Sequence, residues 1–164
     1  MLKGKAHVFR DNVSTDLIVP GRYSHLRSNL AELAKHALED ADPEFSKKAC
    51  KGDFVVGGLN FGLGSSREHA PIVIKMNGIS AVIAKSFARI FYRNCINVGL
   101  PAVICDTSKI KNGDVLELDL KAGRLKDLTQ NFELNFSPLP KVMRTILEDG
   151  GLVEHIKKHK DFKL

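Results

Sequence analysis

Ser65, Ser66 and Arg67 stand inside the string Gly62-Leu63-Gly64-Ser65-Ser66-Arg67-Glu68-His69, two hydroxyls and a guanidinium within a glycine frame. A hydroxyl can accept or hand on a proton, and a guanidinium can grip a carboxylate through two parallel hydrogen bonds. Apolar Ala70, Ile72, Val73, Ile74 and Met76 come next and Gly78 closes the run, so the pattern predicts a helix over 69–77. Gly64, Ser65 and Ser66 are then expected at its N-terminus. Unpaired N–H groups and the positive end of the helix dipole favour an anion there. The chemistry this suggests is the handling of a carboxylate.

Spacing excludes three commoner glycine motifs. A phosphate-binding loop opening at Gly57 would need lysine after Gly62, where Leu63 stands. A dinucleotide-binding turn would need its third glycine where Arg67 stands. The nucleophile elbow of hydrolases needs glycine two residues past the serine, and neither Ser65 nor Ser66 has it. For an isolated Ser-Ser-Arg, a serine cap beside a tolerated arginine would be the plainer reading; the flanking glycines and the longer string around them reverse that preference.

The elements that must hold this loop alternate between strand and helix. Residues 6–9 read as a strand. Asn29 and Glu32 make a capping-box start for a helix over 30–38, with Leu30, Leu33, Ala34, Ala37 and Leu38 on one face. Residues 53–57 form a strand feeding the glycine loop, 79–84 a buried strand, and 86–98 a helix closed by Gly99, which delivers a strand over 101–105. Two-residue alternation around Gly123 over 114–136 predicts antiparallel strands. An amphipathic helix over 138–149 comes after them, and the tail His155-Ile156-Lys157-Lys158-His159-Lys160 reads as a solvated terminus. In an open α/β sheet, ligands bind beyond the carboxyl ends of strands, a condition that the strand into Gly58 meets.

With 164 residues, 43% hydrophobic and 27% charged, the chain is expected to form one globular domain over 1–164 with a real core. No apolar run approaches the roughly 20 residues of a membrane span, and Met1-Leu2-Lys3-Gly4-Lys5 has no signal-peptide pattern, so a cytoplasmic protein is expected. Cys50, Cys95 and Cys105 lack CxxC spacing and are odd in number, which predicts buried reduced thiols. His25, His36 and His69 lack metal-ligand spacing, so no metal site is expected in this chain. The net charge of +6 and pI of about 9.3 raise nucleic acid as an alternative partner. With two Tyr, no Trp and dispersed basic residues, RNA binding ranks below steering of a polyanionic substrate.

The wider string from Gly58-Leu59-Asn60-Phe61 through Ala70-Pro71 resembles the signature of the aconitase superfamily. Ala84-Lys85-Ser86-Phe87-Ala88-Arg89-Ile90-Phe91-Tyr92-Arg93-Asn94 matches a second block, and Ser14-Thr15-Asp16-Leu17-Ile18-Val19-Pro20-Gly21-Arg22-Tyr23 a third. In this order and at this length, the chain is similar to the separate small subunits of the isopropylmalate isomerase and homoaconitase group. The resemblance implies an α/β fold, the swivelling β/β/α domain, as a single domain. It implies a hydro-lyase active only with a large subunit, which holds a 4Fe-4S cluster; this chain lacks the thiolate set such a cluster needs. The substrate would be a small hydroxy-carboxylic acid, dehydrated and rehydrated. Interconversion of 2- and 3-isopropylmalate in leucine biosynthesis is the preferred reaction and that of homoaconitase the alternative.

The resemblance also implies residue roles. Ser65 is the catalytic base as its alkoxide, Ser66 bonds a substrate carboxylate or orients Ser65, and Arg67 binds the carboxylate. Asp16 orients groups at the site edge, although by residue type alone a turn aspartate bonding the next backbone amides reads equally well, and Gly64 supports the loop. Tyr23, Ser24, His25, Leu26 and Arg27 fall in the substrate-recognition loop, where Arg27 suits an additional carboxylate and Leu26 an isopropyl group; both remain open. Lys85, Arg89 and Arg93, at four-residue spacing, are expected on one helix face, which is either a solvated stripe or, as the matching family block favours, a surface that docks the large subunit.

Overall fold

The computed structural model describes residues 1–160. Its strands are β1 Leu2–Val8, β2 Phe54–Val56, β3 Ala81–Ala84, β4 Ala102–Ile104, β5 Val115–Asp119, β6 Arg124–Asp127 and β7 Phe132–Asn135. They make one seven-stranded sheet in the order β4-β3-β2-β1-β5-β6-β7. The first half is parallel, with Ala6 opposite Phe54, Phe54 opposite Ala81 and Val82 opposite Ala102; the second half is antiparallel from β1 outward.

The two halves differ because their burial differs. Phe54-Val55-Val56 and Ala81-Val82-Ile83-Ala84 are apolar throughout and buried on both faces, as parallel strands require. Val55, Val82 and Ala84 enter a core shared with Leu33, Phe45, Ile74 and Phe91 from the helical layer. Their neighbours Phe54, Val56, Ala81 and Ile83 enter a second core with Leu116, Leu118 and Leu125. The antiparallel half thus curls over the face that the helices leave open. In β5 and β6 every second residue is buried, which is the alternation visible in the sequence.

The helical layer holds α1 Thr15–Ile18, a 3-10 segment Gly21–Leu26, α2 Leu30–Ala34, α3 Phe45–Lys48, α4 His69–Met76, α5 Arg89–Asn97, α6 Lys141–Glu148 and α7 Leu152–His159. Two expected helices are shorter than the periodicity predicts, because tertiary partners take their backbone bonds. The Asn29 side chain caps α2 by accepting from the Glu32 N–H at 3.2 Å, yet regular helix stops at Ala34. The Asn77 amide donates to the Ala34 carbonyl at 2.9 Å, and Leu38, at φ 56°, donates its N–H to Ile18 at 3.0 Å. Ala37 and Leu38 stay buried, so the apolar face is real although its last turn is not helical. Likewise α5 begins at Arg89, since Phe87 forms a single parallel bridge with Phe61 and Ala88 donates to the Phe61 carbonyl at 2.9 Å. Lys85 therefore precedes the helix, and the expected three-residue stripe reduces to Arg89 and Arg93.

The tail is not a solvated terminus over 152–159. His155 is 1% exposed, and its Nδ1 lies 2.7 Å from Asp149 Oδ2. His159 Nε2 meets the same oxygen at 2.8 Å, while Lys158 Nζ donates to Asp149 Oδ1 at 2.5 Å. The i,i+4 pair of histidines on α7 thus grips one carboxylate at the end of α6. Lys158 and the two histidines hold the Asp149 carboxyl far below the usual carboxylate range. Because its folded pKa is depressed, this contribution is complete above about pH 4 and is lost as pH falls toward the folded value. Asp149→Ala should lower the melting temperature at neutral pH and speed amide exchange across 152–159, leaving the exchange of β1–β3 unchanged. Hydrogen-exchange mass spectrometry checks this.

Candidate active site

The carboxyl ends of β1, β2 and β3 open on the same edge of the sheet, and their connections are bonded to one another. Asp11 Oδ1 accepts from the Leu59 N–H at 2.7 Å, and Ser86 Oγ from the Asn60 N–H at 2.8 Å. The Lys85 N–H donates to Gly58 at 3.0 Å and the Phe61 N–H to Ser86 at 2.9 Å. The glycine string then runs hard against α5. A Cβ on Gly62, whose φ is 80°, would sit 2.0 Å from the Phe91 ring, so only glycine fits.

The segment before α1 is bonded to the same string. Ser14 and Leu63 form a parallel bridge, with the Gly62 N–H donating to Val13 at 2.7 Å and the Thr15 N–H to Leu63 at 2.8 Å. Two of the three similar blocks thereby become neighbours, and the Phe61–Phe87 bridge adds the third.

Gly64 comes next at φ 108°, and Ser65 and Ser66 are exposed. Among the described residues, the amides of Gly64, Ser65 and Ser66 donate to no protein group, and neither serine hydroxyl has a partner. Their relation to the helix differs from expectation. The first residue of α4 is His69, with Glu68 as a helical-φ/ψ cap that makes no side-chain bond. The serines precede it because the chain first makes a tight turn, the Arg67 N–H returning to the Ser65 carbonyl at 2.8 Å. An anion here would meet free loop amides rather than the first turn of α4.

Arg67 is held from below. Its Nη1 lies 2.5 Å from Asp16 Oδ1 and donates to the Val19 carbonyl at 3.1 Å, and its side chain is 21% exposed against 64% for Asp16. Nε and Nη2 have no protein partner among the described residues. That leaves the edge of the guanidinium with the geometry for a carboxylate. Asp16, Gly64, Ser65, Ser66 and Arg67 are thus brought together.

The recognition segment begins two residues past Val19, as the 3-10 turn Gly21–Leu26. Tyr23 stacks on His36 with centroids 3.8 Å apart and donates its hydroxyl to Glu39 Oε1 at 2.7 Å. Leu26 packs against the helix-side core. These two side chains hold the segment down, while Ser24, His25 and Arg27 are exposed and Arg27 makes no ion pair among the described residues. The sequence pattern does not reveal the network beneath. Arg22 forks onto Asp40 at 2.9 and 2.6 Å and reaches Glu39 at 2.5 Å, and His36 Nδ1 lies 2.7 Å from Glu39 Oε2. Burial alone would raise the Glu39 pKa; bonds from Tyr23, His36 and Arg22 outweigh it and hold the carboxyl at about 2. No motif spacing connects Glu39 to Tyr23; the left-handed turn at Leu38 does.

Cys95 and Cys105 are buried as expected, and burial pushes both thiols up, Cys105 to about 12 with Asp106 adding to the effect. Cys50 is exposed, which corrects the expectation for that residue; it lies in the turn before β2, outside the apolar strand run. Cys95 and Cys105 lie in different cores and Cys50 is exposed, so among the described residues the three thiols do not gather into the ligand set that an iron–sulfur cluster needs.

A mixed sheet curled over a second core, with a serine–arginine loop at the carboxyl ends of its parallel strands, defines a swivel domain of the β/β/α class. The family model described as the Aconitase C-terminal domain matches residues 3–106, and the chain belongs to that family, within the group of 3-isopropylmalate dehydratase small subunits. It is 60% identical over 161 residues to small subunit 2 of 3-isopropylmalate dehydratase from Archaeoglobus fulgidus, covering 98% of each chain. It is 56% identical over 163 residues to small subunit 1 from Thermotoga maritima, covering 99% of this chain and 98% of that one. The crystal structure of a 3-isopropylmalate dehydratase chain from Methanocaldococcus jannaschii superposes with a TM-score of 0.92 at 50% identity, over 97% of this chain and 95% of the other. No described helix is long and apolar enough to cross a membrane.

The depressed Glu39 carboxyl ties the recognition segment to pH. Its stabilising contribution is full above about 4.5 and is lost as pH falls toward about 2. Protection factors over 21–27, referred to the intrinsic exchange rate at each pH, should therefore fall through that window, and Glu39→Gln should show the lowered protection already at pH 7.

Proposed function

We propose that this chain is the small, substrate-recognising subunit of a 3-isopropylmalate dehydratase, a hydro-lyase of leucine biosynthesis that works with a large subunit. The observation that carries the reading is the serine–arginine loop: two unpartnered hydroxyls, three free amides and a braced guanidinium, in a chain alignable end to end with relatives of that name. Ser65 takes the proton from a carbon beside a substrate carboxylate. The loop amides and the free edge of Arg67 bind that carboxylate and the charge developing on it, and Asp16 keeps Arg67 aimed. Ser66 adds a bond to the carboxylate or orients Ser65. A 4Fe-4S cluster on the large subunit supplies, when bound, a Lewis acid for the departing hydroxyl.

The large subunit also has a surface to meet. A groove of about 540 Å³ between α5 and α6 is lined by Phe87, Tyr92, Ile104, Val142 and Met143, with Arg89 and Arg93 at its rim. Phe87, in the lining of this groove, forms a backbone bridge with Phe61 of the glycine string.

Purified alone, the chain should contain no stoichiometric iron or sulfide and show no turnover; with the large subunit it should convert isopropylmalate. In that complex Ser65→Ala should lower kcat by about 10²–10⁴-fold with little change in KM. Arg67→Lys should damage both constants, since lysine cannot fork. Turnover without a partner, or a Ser65→Ala complex of normal kcat, overturns the assignment.

Substrate choice is carried by the recognition segment, in which Tyr23 and Leu26 are half-buried and Arg27 is exposed. For isopropylmalate, the apolar Tyr23–Leu26 side lies against the isopropyl group and Arg27 stands clear. Leu26→Arg should then cut isopropylmalate turnover, and Arg27→Leu should change little. An Arg27→Leu loss confined to homocitrate-type acids would assign Arg27 to an extra carboxylate and favour homoaconitase.

A further inference from the structure

Thr15 opens α1 with a hydroxyl that has nothing to bond. The residue is 1% exposed, and Oγ1 is buried without a partner among the described residues. Its other polar groups are satisfied: the amide donates to Leu63 at 2.8 Å and the carbonyl accepts from the Val19 N–H at 2.9 Å. The cap of α1 is provided by Ser14, whose Oγ accepts from the Leu17 N–H at 3.1 Å. Thr15 Oγ1 is therefore not needed for local structure. Valine has nearly the same shape and would fill the same space without burying an orphan hydroxyl, so packing alone does not account for threonine.

The hydroxyl faces Gly64. A Cβ built on Gly64 would lie 3.2 Å from Thr15 Oγ1, and Gly64 has a φ of 108°, a backbone region open to glycine. One residue on stands Ser65, exposed, with amide and hydroxyl both unpartnered among the described residues. A buried donor with no acceptor and an exposed base with no donor thus flank one glycine. We infer that Thr15 is a positioning residue for Ser65: torsion at Gly64 brings Ser65 over Thr15 when substrate engages the loop, and the Thr15 hydroxyl donates a hydrogen bond to Ser65 Oγ. This rests on Ser65 being the base.

The bond strengthens as Ser65 becomes an alkoxide, because a donor to an ionised oxygen is worth more than one to a neutral hydroxyl. The proton leaving the substrate carbon goes to Ser65, and the Thr15 proton stays on Thr15. The gain falls on the charged form, so loss of the donor raises the apparent pKa at which Ser65 becomes active.

The test uses Thr15→Val and Thr15→Ser in the complex with the large subunit, turning over isopropylmalate. Thr15→Val should lower kcat by about 10²-fold, the scale for a misplaced catalytic group, with KM within roughly threefold. The acid-side limb of its pH–kcat profile should move to higher pH. Thr15→Ser should recover most of the rate and restore the limb. The melting temperature of Thr15→Val should equal or exceed that of the parent chain, since an orphan hydroxyl is removed. A Thr15→Val complex with parental kcat and pH profile overturns the inference. So does a loss of kcat that tracks a fall in melting temperature and is shared equally by Thr15→Ser. Ser65→Ala run alongside separates the two readings: its full activity would remove the base assignment, whereas an inactive Ser65→Ala beside a fully active Thr15→Val removes only the role of Thr15.

Discussion

The paired backbone bonds between Val13–Thr15 and Gly62–Leu63 are the constraint on which the rest of the site depends. Neither partner segment is a regular strand, and neither has enough residues to hold a conformation alone. Bonded together, they place α1 beneath the loop, which sets Asp16 within reach of Arg67 and Val19 under the same guanidinium. The loop itself has no apolar side chain between Gly64 and Arg67 to anchor it. Its position is therefore inherited from the bonds on either side, the Gly62 contact with Phe91 and the turn that returns Arg67 to Ser65. Any side chain at position 62 would push α5 away and release all of this at once.

The sheet is legible in the sequence wherever a strand's burial is simple. Phe54–Val56 and Ala81–Ala84 are apolar throughout because both faces are covered, and residues 114–136 alternate because one face meets water. The loop's chemistry is equally open, since residue type and glycine spacing are local properties. Pattern and structure part where a distant partner replaces a local bond. Asn77 and Ile18 capture the groups that would have extended α2, and Phe61 captures those that would have begun α5 early. The serines are expected on a helix cap because apolar periodicity reports which face is buried, not which amide makes the first helical bond. The Tyr23–Glu39 contact and the grip of His155 and His159 on Asp149 lie in the same class: the residues are visible, but their meeting depends on turns at Leu38 and Gly150-Gly151.

Charge is distributed by the same logic. Acidic groups at positions 39, 40, 53 and 149 are each taken up in bonds that brace a turn or a helix end. Arg27, Arg89 and Arg93 make no ion pair among the described residues. Lys3, Arg10, Lys51, Lys109 and Lys141 are likewise outside any ion pair among the described residues, so the net charge of +6 is spread over the surface, with Arg27, Arg89 and Arg93 its share on the recognition segment and α5. A surface of that sign attracts anions in general, and the attraction weakens with salt, as exposed charge does.

An exposed half-site is the consequence of building this loop on a chain without a cover. Ser65 and Ser66 face water, where a serine hydroxyl is a poor base because it holds its own proton and water competes for its bonds. Electrostatic help from amides and Arg67 grows only when water is excluded. The scaffold therefore supplies direction, with Asp16 and the Val19 carbonyl fixing one side of the guanidinium, and leaves the dielectric to whatever closes over the loop. Groups that must act only after closure are free to remain unpaired before it. The open amides of residues 64–66, the free edge of Arg67 and the buried hydroxyl of Thr15 are all unpaired among the described residues, and all lie on the stretch from Gly64 to Arg67 or on the segment bonded beside it.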